Sequence, residues 1–221
     1  MAQAREFLGV SGREDLQTDA ELVLLADDNT PFLSGQVIGH PVWHVVISDW
    51  KLQLKSAPPD VRDRCARTFD VFLGAQEGCL LKIVSRWPKD VPPIPPEPGP
   101  ASYTDQLRRS GDEKYHGFPK EKSSIQFVDA LDSVLKNAAN PLAADQIVGQ
   151  YVVWSQMGRD PKPVWAVTLR DTDPLWEASY PGVSVDARNH LRCIVDAKTG
   201  EFICGGSVPQ PEEKEKEKGK K

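Results

Sequence analysis

The chain has 221 residues, of which 39% are hydrophobic and 27% are charged, so it is long enough for one or two globular domains. Its net charge of −5 argues against a nucleic-acid partner, because binding phosphates requires a basic surface. No stretch reaches the roughly 18 apolar residues of a membrane span, and the N-terminus lacks the basic and apolar segments of a signal peptide.

Two parts of the sequence match each other at a constant spacing. PVWHVVISD at 41–49 corresponds to PVWAVTLRD at 163–171, and FDVFLGAQEGCLLKI at 69–83 corresponds to LRCIVDAKTGEFICG at 191–205. The spacing is 122 residues in both cases. Because two separate segments share one register, the sequence predicts an internal duplication.

The first copy is expected to occupy residues 1–87. A short helix is expected within residues 2–10 or 16–25, and the turn GAQEG keeps Gly78 where the second copy has Gly200. Correspondence with the second copy then predicts four strands, at 32–38, 42–47, 69–73 and 79–84.

Residues 88–122 are rich in proline. Proline lacks a backbone donor and favours the extended polyproline II conformation, so this segment is predicted to be a linker between the copies. Its PxxP spacing, at Pro93–Pro96 and Pro95–Pro98, also matches ligands of aromatic-lined grooves. Several ring-bearing residues in its second half are expected to pack on a domain: Tyr103, Tyr115, His116 and Phe118.

The second copy, residues 123–207, shows its elements more clearly. Ser123 or Ser124 can cap a helix, after which apolar residues recur at helical spacing. Two strands and then a hairpin are expected to follow. The tail 208–221 is expected to be disordered because it is rich in Lys and Glu and no apolar residue follows Val208. The apolar helix positions are Ile125, Val128, Leu131, Leu135 and Ala138, the two strands are 147–154 and 164–169, and the hairpin is 191–195 with 201–204 around the turn 196–200.

The fold class predicted from these elements is α+β. It consists of two repeated modules, each a helix packed on an antiparallel β-sheet. The predicted domains are copy one at 1–87, the linker at 88–122, copy two at 123–207 and the tail at 208–221.

Four cysteines are present, and they allow three disulfide pairings. In the predicted hairpin, Cys193 and Cys204 lie opposite or nearly opposite each other, close to disulfide distance. A bridge between them would imply an oxidising compartment. The alternative is two free cysteines, one on each strand. The other two cysteines are Cys65 and Cys79.

Tryptophan occupies the same position in the two copies, at Trp43 and Trp165. Packing in the core or on a sheet face is the simpler interpretation of both. The alternative is a ligand contact, in which Trp43, Trp154 and Trp165 form the walls of a crevice between the copies.

The sequence carries no GxSxG, no HExxH and no glycine-rich phosphate loop. His40 and His44 are four residues apart, but on a strand they would be separated by roughly 13 Å, too far to share one metal ion. Asp171 and Asp173 stand before a proline, which is typical of a turn. We therefore expect no enzyme activity, no metal and no cofactor.

The helix, the strand PVWAVTL and the strand–turn–strand CIVDAKTGEFI of the second copy resemble the PepSY family, whose members commonly end in a strand, a DxxxG turn and another strand. The matching residues are 164–167 and 195–201; in the first copy Gly74 replaces the turn aspartate, and the loops at 50–66 and 172–189 are longer than the family pattern. The resemblance implies a small non-catalytic domain, usually outside the cytoplasm, that is associated with peptidase propeptides and is proposed to restrain proteases.

The function predicted from the sequence is a non-catalytic binding or inhibitory protein of PepSY-like type, with a protein or peptide, such as a peptidase, as its partner. The alternative is a small-ligand receptor that uses the crevice between the copies. A periplasmic or secreted location is favoured if a signal peptide has been removed. An exposed sheet edge would favour the first function, and a buried pocket lined by tryptophan would favour the second.

Overall fold

The structure is a computed structural model, and it describes residues 1–13, 15–26, 37–57, 66–87, 113–142, 144–156, 159–170 and 190–208. Within these residues it contains two short helices and nine strands. The helices are α1 (Ala2–Leu8) and α2 (Phe127–Asn137); the strands are β1 (Thr18–Leu24), β2 (Pro41–Lys51), β3 (Ala66–Gly74), β4 (Leu80–Arg86), β5 (Lys114–Tyr115), β6 (Gln146–Ser155), β7 (Lys162–Arg170), β8 (His190–Asp196) and β9 (Phe202–Val208).

All nine strands belong to one antiparallel sheet. Its order is β1-β2-β3-β4-β6-β7-β8-β9, and the short β5 pairs with the far end of β6. The predicted fold class of two helix-on-sheet modules is therefore wrong. β4 is paired with β6, with Ile83 opposite Gly149 and Ser85 opposite Ile147, so the strands of both halves are continuous. In separate modules β4 would expose a row of unpaired backbone groups, and β6 satisfies them.

The first strand lies where the sequence suggested a helix. Residues 18–24 form β1, whereas a helix was one expectation for 16–25 and the first strand was expected at 32–38. The sequence TDAELVL alternates, with Ala20, Leu22 and Leu24 on one side, and this period of two is that of a strand. Residues 37 and 38 belong to a turn, and 32–36 lie outside the described residues.

The second half agrees closely with the pattern of its sequence. The helix expected after Ser123 or Ser124 is α2, but it begins at Phe127 and its N-cap is Gln126, so the predicted serine cap was wrong. The strands expected at 147–154 and 164–169 are β6 and β7. The hairpin of β8 and β9 turns at 196–200, and Gly200 has a φ of 76° there, which favours glycine. Local periodicity was sufficient here because each element is long and strongly patterned.

Both helices pack on the same face of the sheet, which we call the helix face. The main core lies between this face and the helices, and it includes Leu8 of α1 and Leu131 of α2. A second, smaller cluster lies on the opposite face of β6 to β9, with Tyr115 and Phe118 packed against it. The core residues that define the helix face on the strands are Val45, Ile47, Val71, Ile83, Ile147, Trp165, Val167 and Val195.

Two buried polar side chains connect the first half of the chain to the second. Arg67 of β3 donates hydrogen bonds to the carbonyl oxygens of Leu142 (3.1 Å) and Ala144, which follow α2. Asp132 of α2 accepts hydrogen bonds from the backbone N–H (2.7 Å) and hydroxyl (3.1 Å) of Ser56. These contacts fix the helix and the loops around it to both halves of the sheet.

Several sequence predictions fall outside the described residues. They include Cys65, the carboxylates Asp171 and Asp173, most of the proline-rich segment and the C-terminal tail. Residues 113–122 of the expected linker are described, and Lys114–Tyr115 pairs with β6.

Candidate functional site

Exposed apolar side chains gather at one corner of the sheet. Among the residues that the structure describes, the large hydrophobic side chains that are exposed are Met1 (65%), Leu22 (56%), Leu24 (70%) and Trp43 (44%). Leu22 lies directly opposite Trp43, and Leu24 follows on the same side of β1. Clustered exposed apolar surface marks interaction sites in soluble proteins. We call these four residues the Trp43 corner.

A groove of about 680 Å³ lies at this corner on the helix face. Val45 and Leu73, both buried, form part of its lining, together with the indole of Trp43. Gln3 at the start of α1 and residues 74–78 of the β3–β4 turn complete the opposite side. The groove is therefore bordered by a helix end, a turn and the edge of the sheet.

The backbone of β1 is open on its outer side within the described part of the chain, because β1 is the first strand of the sheet. Leu25 N–H donates to the carbonyl of His40 at 3.0 Å, and Ser48 N–H donates to the carbonyl of Gln17 at 3.2 Å. Hydrogen-bonded pairs alternate along an antiparallel ladder, so the odd-numbered residues of β1 bond to β2. The even-numbered residues, which include Ala20 and Leu22, direct their N–H and C=O groups outward.

The opposite face of the same strands carries a row of polar side chains, which holds β1 in place beside a small apolar cluster of Leu25, Val42 and Leu81. His44 of β2 contacts Glu21 through Nδ1 at 3.1 Å and Asp70 through Nε2 at 2.9 Å. Arg86 donates to the same Asp70 carboxylate at 3.0 Å, and the His44 ring stacks on Phe72 with centroids 4.6 Å apart. His44, the second histidine of the His40/His44 pair, is therefore part of a row of polar contacts that runs across β1, β2, β3 and β4.

The three tryptophans suggested as ligand contacts do not line a common crevice. Trp165 is 0% exposed in the main core, where its ring packs near Phe127 and Tyr151. Trp154 is 1% exposed and belongs to the cluster on the opposite face. Of the three, Trp43 is the one that faces an open groove, so a ligand contact stays a prediction at this position.

The two hairpin cysteines are free thiols in the structure. Cys193 lies opposite Gly205, and Cys204 lies opposite Ile194, so the two side chains are one position out of register. Because successive side chains of a strand point to opposite faces, Cys193 enters the main core and Cys204 the cluster on the other face. The geometry gives no support for the Cys193–Cys204 bridge.

We expect Cys193 and Cys204 to resist alkylation by iodoacetamide in the native protein and to react after unfolding in urea. Burial raises the pKa of both thiols, to about 12 at Cys204, so little reactive thiolate forms near neutral pH. Cys79 is half-buried and should react before them. Timed alkylation and intact mass spectrometry measure this. Fast native labelling of the pair, or a disulfide-linked peptide containing Cys193 and Cys204 in an unreduced digest, would contradict it.

In comparisons with known proteins, no family model, no curated protein and no solved structure matches the chain. The resemblance to the PepSY family therefore stays a prediction. In the described part of the chain, neither helix has the length and apolar character needed to cross a membrane.

Sequence reasoning identified Trp43 but missed its neighbours Gln3, Leu22 and Leu24. The alternation of TDAELVL is the signal that could have placed the two leucines on one side of a strand beside Trp43. Nothing in the local pattern indicates that this strand is an edge, since that depends on the sheet order. The contact between Gln3 and the β3–β4 turn joins residues 75 positions apart, which no local signal reveals.

Proposed function

We propose that this chain is a non-catalytic binding protein whose partner is a protein or peptide, and that the partner docks on the Trp43 corner. The observation that carries the proposal is the position of the exposed large hydrophobic side chains: within the described residues, they all lie at this corner. A random distribution of such side chains over the surface would need no explanation, whereas a cluster does.

The open edge of β1 strengthens the proposal. An extended peptide that adds to an edge strand gains backbone hydrogen bonds, while alternate side chains enter whatever grooves lie beside the strand. Here the outward-facing backbone groups belong to the same residues, Ala20, Leu22 and Leu24, whose side chains lie on the groove side. On the other side β1 presents Asp19 and Glu21, so a partner with basic residues at alternate positions is favoured.

The PepSY resemblance adds a narrower hypothesis, namely that the partner is a peptidase and that the chain restrains it. In that case the purified chain should slow the cleavage of a fluorogenic substrate by an extracytoplasmic peptidase of the host. If no peptidase is slowed or captured, the hypothesis that the chain restrains a peptidase is rejected, and the proposal of a binding protein remains. The small-ligand receptor is not proposed, because Trp154 and Trp165 are buried on opposite faces.

A selection from a random peptide library tests the proposal. The protein and a Leu22→Ser/Trp43→Ser double variant are both used as targets, and circular dichroism verifies that the variant folds. We expect selected peptides to bind the double variant at least about tenfold more weakly, because truncating central apolar contacts typically removes more than about 1 kcal/mol.

Lys198→Ser is the matched control for this experiment, since Lys198 is exposed in the β8–β9 turn, away from the corner. This variant should bind the selected peptides as the unmodified protein does. Peptides that bind all three proteins equally would place the binding surface elsewhere and refute the role of the Trp43 corner.

A further inference from the structure

The groove at Trp43 has a filled counterpart in the second half of the chain. Trp43 and Trp165 occupy equivalent positions in the 122-residue register, and each lies on the second of the four main strands of its half, β2 and β7. Both indoles lie on the helix face, yet Trp43 is exposed and Trp165 is fully buried. The difference between the two sites lies in what covers the indole.

The turns beside the two tryptophans have the same internal geometry. Ala75 N–H donates to the carbonyl of Pro41 at 3.4 Å, and Ala197 N–H donates to the carbonyl of Pro163 at 3.3 Å. Each turn ends at a glycine with positive φ, 64° at Gly78 and 76° at Gly200. The backbone hydrogen bonds around Trp43 therefore match those around Trp165, whereas the bonds that the Asp196 side chain accepts from the N–H groups of Lys198 and Thr199 have no counterpart at Gly74.

In the second half, the bent segment Ser123–Ile125 covers the tryptophan. Trp165 Nε1 donates to Ser123 Oγ at 3.1 Å and to the carbonyl of Ile125 at 3.4 Å. The N–H groups of Ser124 and Ile125 both donate to the carbonyl of Ala197, at 3.1 and 3.3 Å. The Ile125 side chain lies against Gly200, within 3.8 Å of where a Cβ atom would be.

In the first half, the side chain of Gln3 occupies only the end of the corresponding space. Gln3 Nε2 donates to the carbonyl of Gly78 at 2.7 Å, and Gln3 Oε1 is 2.7 Å from where a Cβ atom on Gly78 would be. Gln3 thus lies against Gly78 as Ile125 lies against Gly200. The space beside Trp43 and Ala75 remains an open groove.

We propose that the Trp43 groove binds a bent peptide segment of the type Ser/Thr-x-aliphatic, held as Ser123–Ile125 is held in the second half. The hydroxyl and a carbonyl of the partner accept hydrogen bonds from the indole N–H of Trp43, and its backbone N–H groups donate hydrogen bonds to the carbonyl of Ala75. Its aliphatic side chain takes the place of the Gln3 side chain against Gly78. This inference rests on the proposed function and adds the sequence type of the partner.

A peptide that copies the covering segment, KEKSSIQFV (residues 120–128), is the probe, and fluorescence anisotropy of the labelled peptide gives the affinity. Trp43→Phe keeps an aromatic ring and removes the N–H donor, so binding should weaken about fivefold, the effect of one hydrogen bond. Gln3→Ala removes the side chain that must be displaced, so binding should strengthen about threefold. The two variants therefore change affinity in opposite directions.

Two controls test the specificity of this binding. Lys198→Ser, in the exposed β8–β9 turn and away from the groove, should leave the affinity for KEKSSIQFV unchanged. A peptide with Asp in place of Ile should bind at least about tenfold more weakly, because a carboxylate would lie against Gly78 in the place of an apolar side chain.

Absence of KEKSSIQFV binding, or equal affinity for the protein and for its Trp43→Phe and Gln3→Ala variants, would overturn the inference. If substitution of Leu22 weakens the binding of library peptides while Trp43→Phe and Gln3→Ala leave their affinity unchanged, the proposed function stands and the inference fails. If no library peptide loses affinity when the Trp43 corner is substituted, the proposed function and the inference both fail. If the protein dimerises with increasing concentration and Trp43→Phe abolishes the dimer, a second copy of the chain occupies the groove. That result would also overturn the inference.

Discussion

Replacing Gly149 by valine is expected to destabilise the protein by about 3–5 kcal/mol. Gly149 lies at the centre of the sheet, on β6 between β4 and β7, and the ring of Phe127 at the start of α2 rests on it. A Cβ atom at this position would be 2.2 Å from the ring, closer than any van der Waals contact allows. Phe127 is fully buried, so α2 must shift and lose much of its packing.

Urea denaturation followed by circular dichroism measures this change in the free energy of unfolding. Gly12→Ala is the matched control, because no atom lies within 4 Å of where its Cβ would be, and its effect should stay within about 0.5 kcal/mol. Combining Gly149→Ala with Phe127→Leu should destabilise less than the sum of the two single changes. A loss below about 1 kcal/mol for Gly149→Val would show that α2 does not pack as described.

Replacing Arg67 by methionine is expected to destabilise the protein by about 3 kcal/mol or more. Arg67 is 0% exposed, and its guanidinium donates to the carbonyls of Pro141, Leu142 and Ala144 while lying 4.0 Å from the ring centre of Trp87. Methionine fills similar space but has no donor, so these carbonyls would lose their charged partner. Arg67→Lys should recover only part of the stability, because an ammonium cannot reproduce the planar fork.

Arg13→Met is the matched control for Arg67. Arg13 also carries an ion pair, to Asp15 at 2.8 Å, but the side chains of both partners are exposed. Exposed ion pairs contribute little because solvent screens them, so this substitution should have a small effect on urea denaturation. Equal losses for Arg67→Met and Arg13→Met would contradict the buried connection between β3 and the segment that follows α2.

The sequence predicted the elements of the second half but not the way in which the halves combine. The periodicity of residues 123–138 and the β-branched runs at 147–154 and 164–169 are local signals, and α2, β6 and β7 follow them. The pairing of β4 with β6 joins residues about 60 positions apart, and no repeat or periodicity encodes it. The prediction of two separate modules was wrong for that reason.

The candidate site was predictable only in part. Trp43 was selected because its position recurs at Trp165, and the structure then shows that the two indoles differ in what covers them. The apolar character of Leu22 and Leu24 is visible in the sequence, but their exposure follows from the place of β1 at the edge of the sheet. Exposure is a property of the assembled fold, so local pattern could not supply it.

The most direct test of the Trp43 corner as a binding site is an NMR titration of the tryptophan indole N–H signals with the peptide KEKSSIQFV. The chain has six tryptophans, and the spectrum of Trp43→Phe identifies the signal of Trp43. We predict that this signal shifts saturably, while the signals of the buried Trp154 and Trp165 stay in place. A Trp43 signal that does not move while the peptide binds would contradict the account.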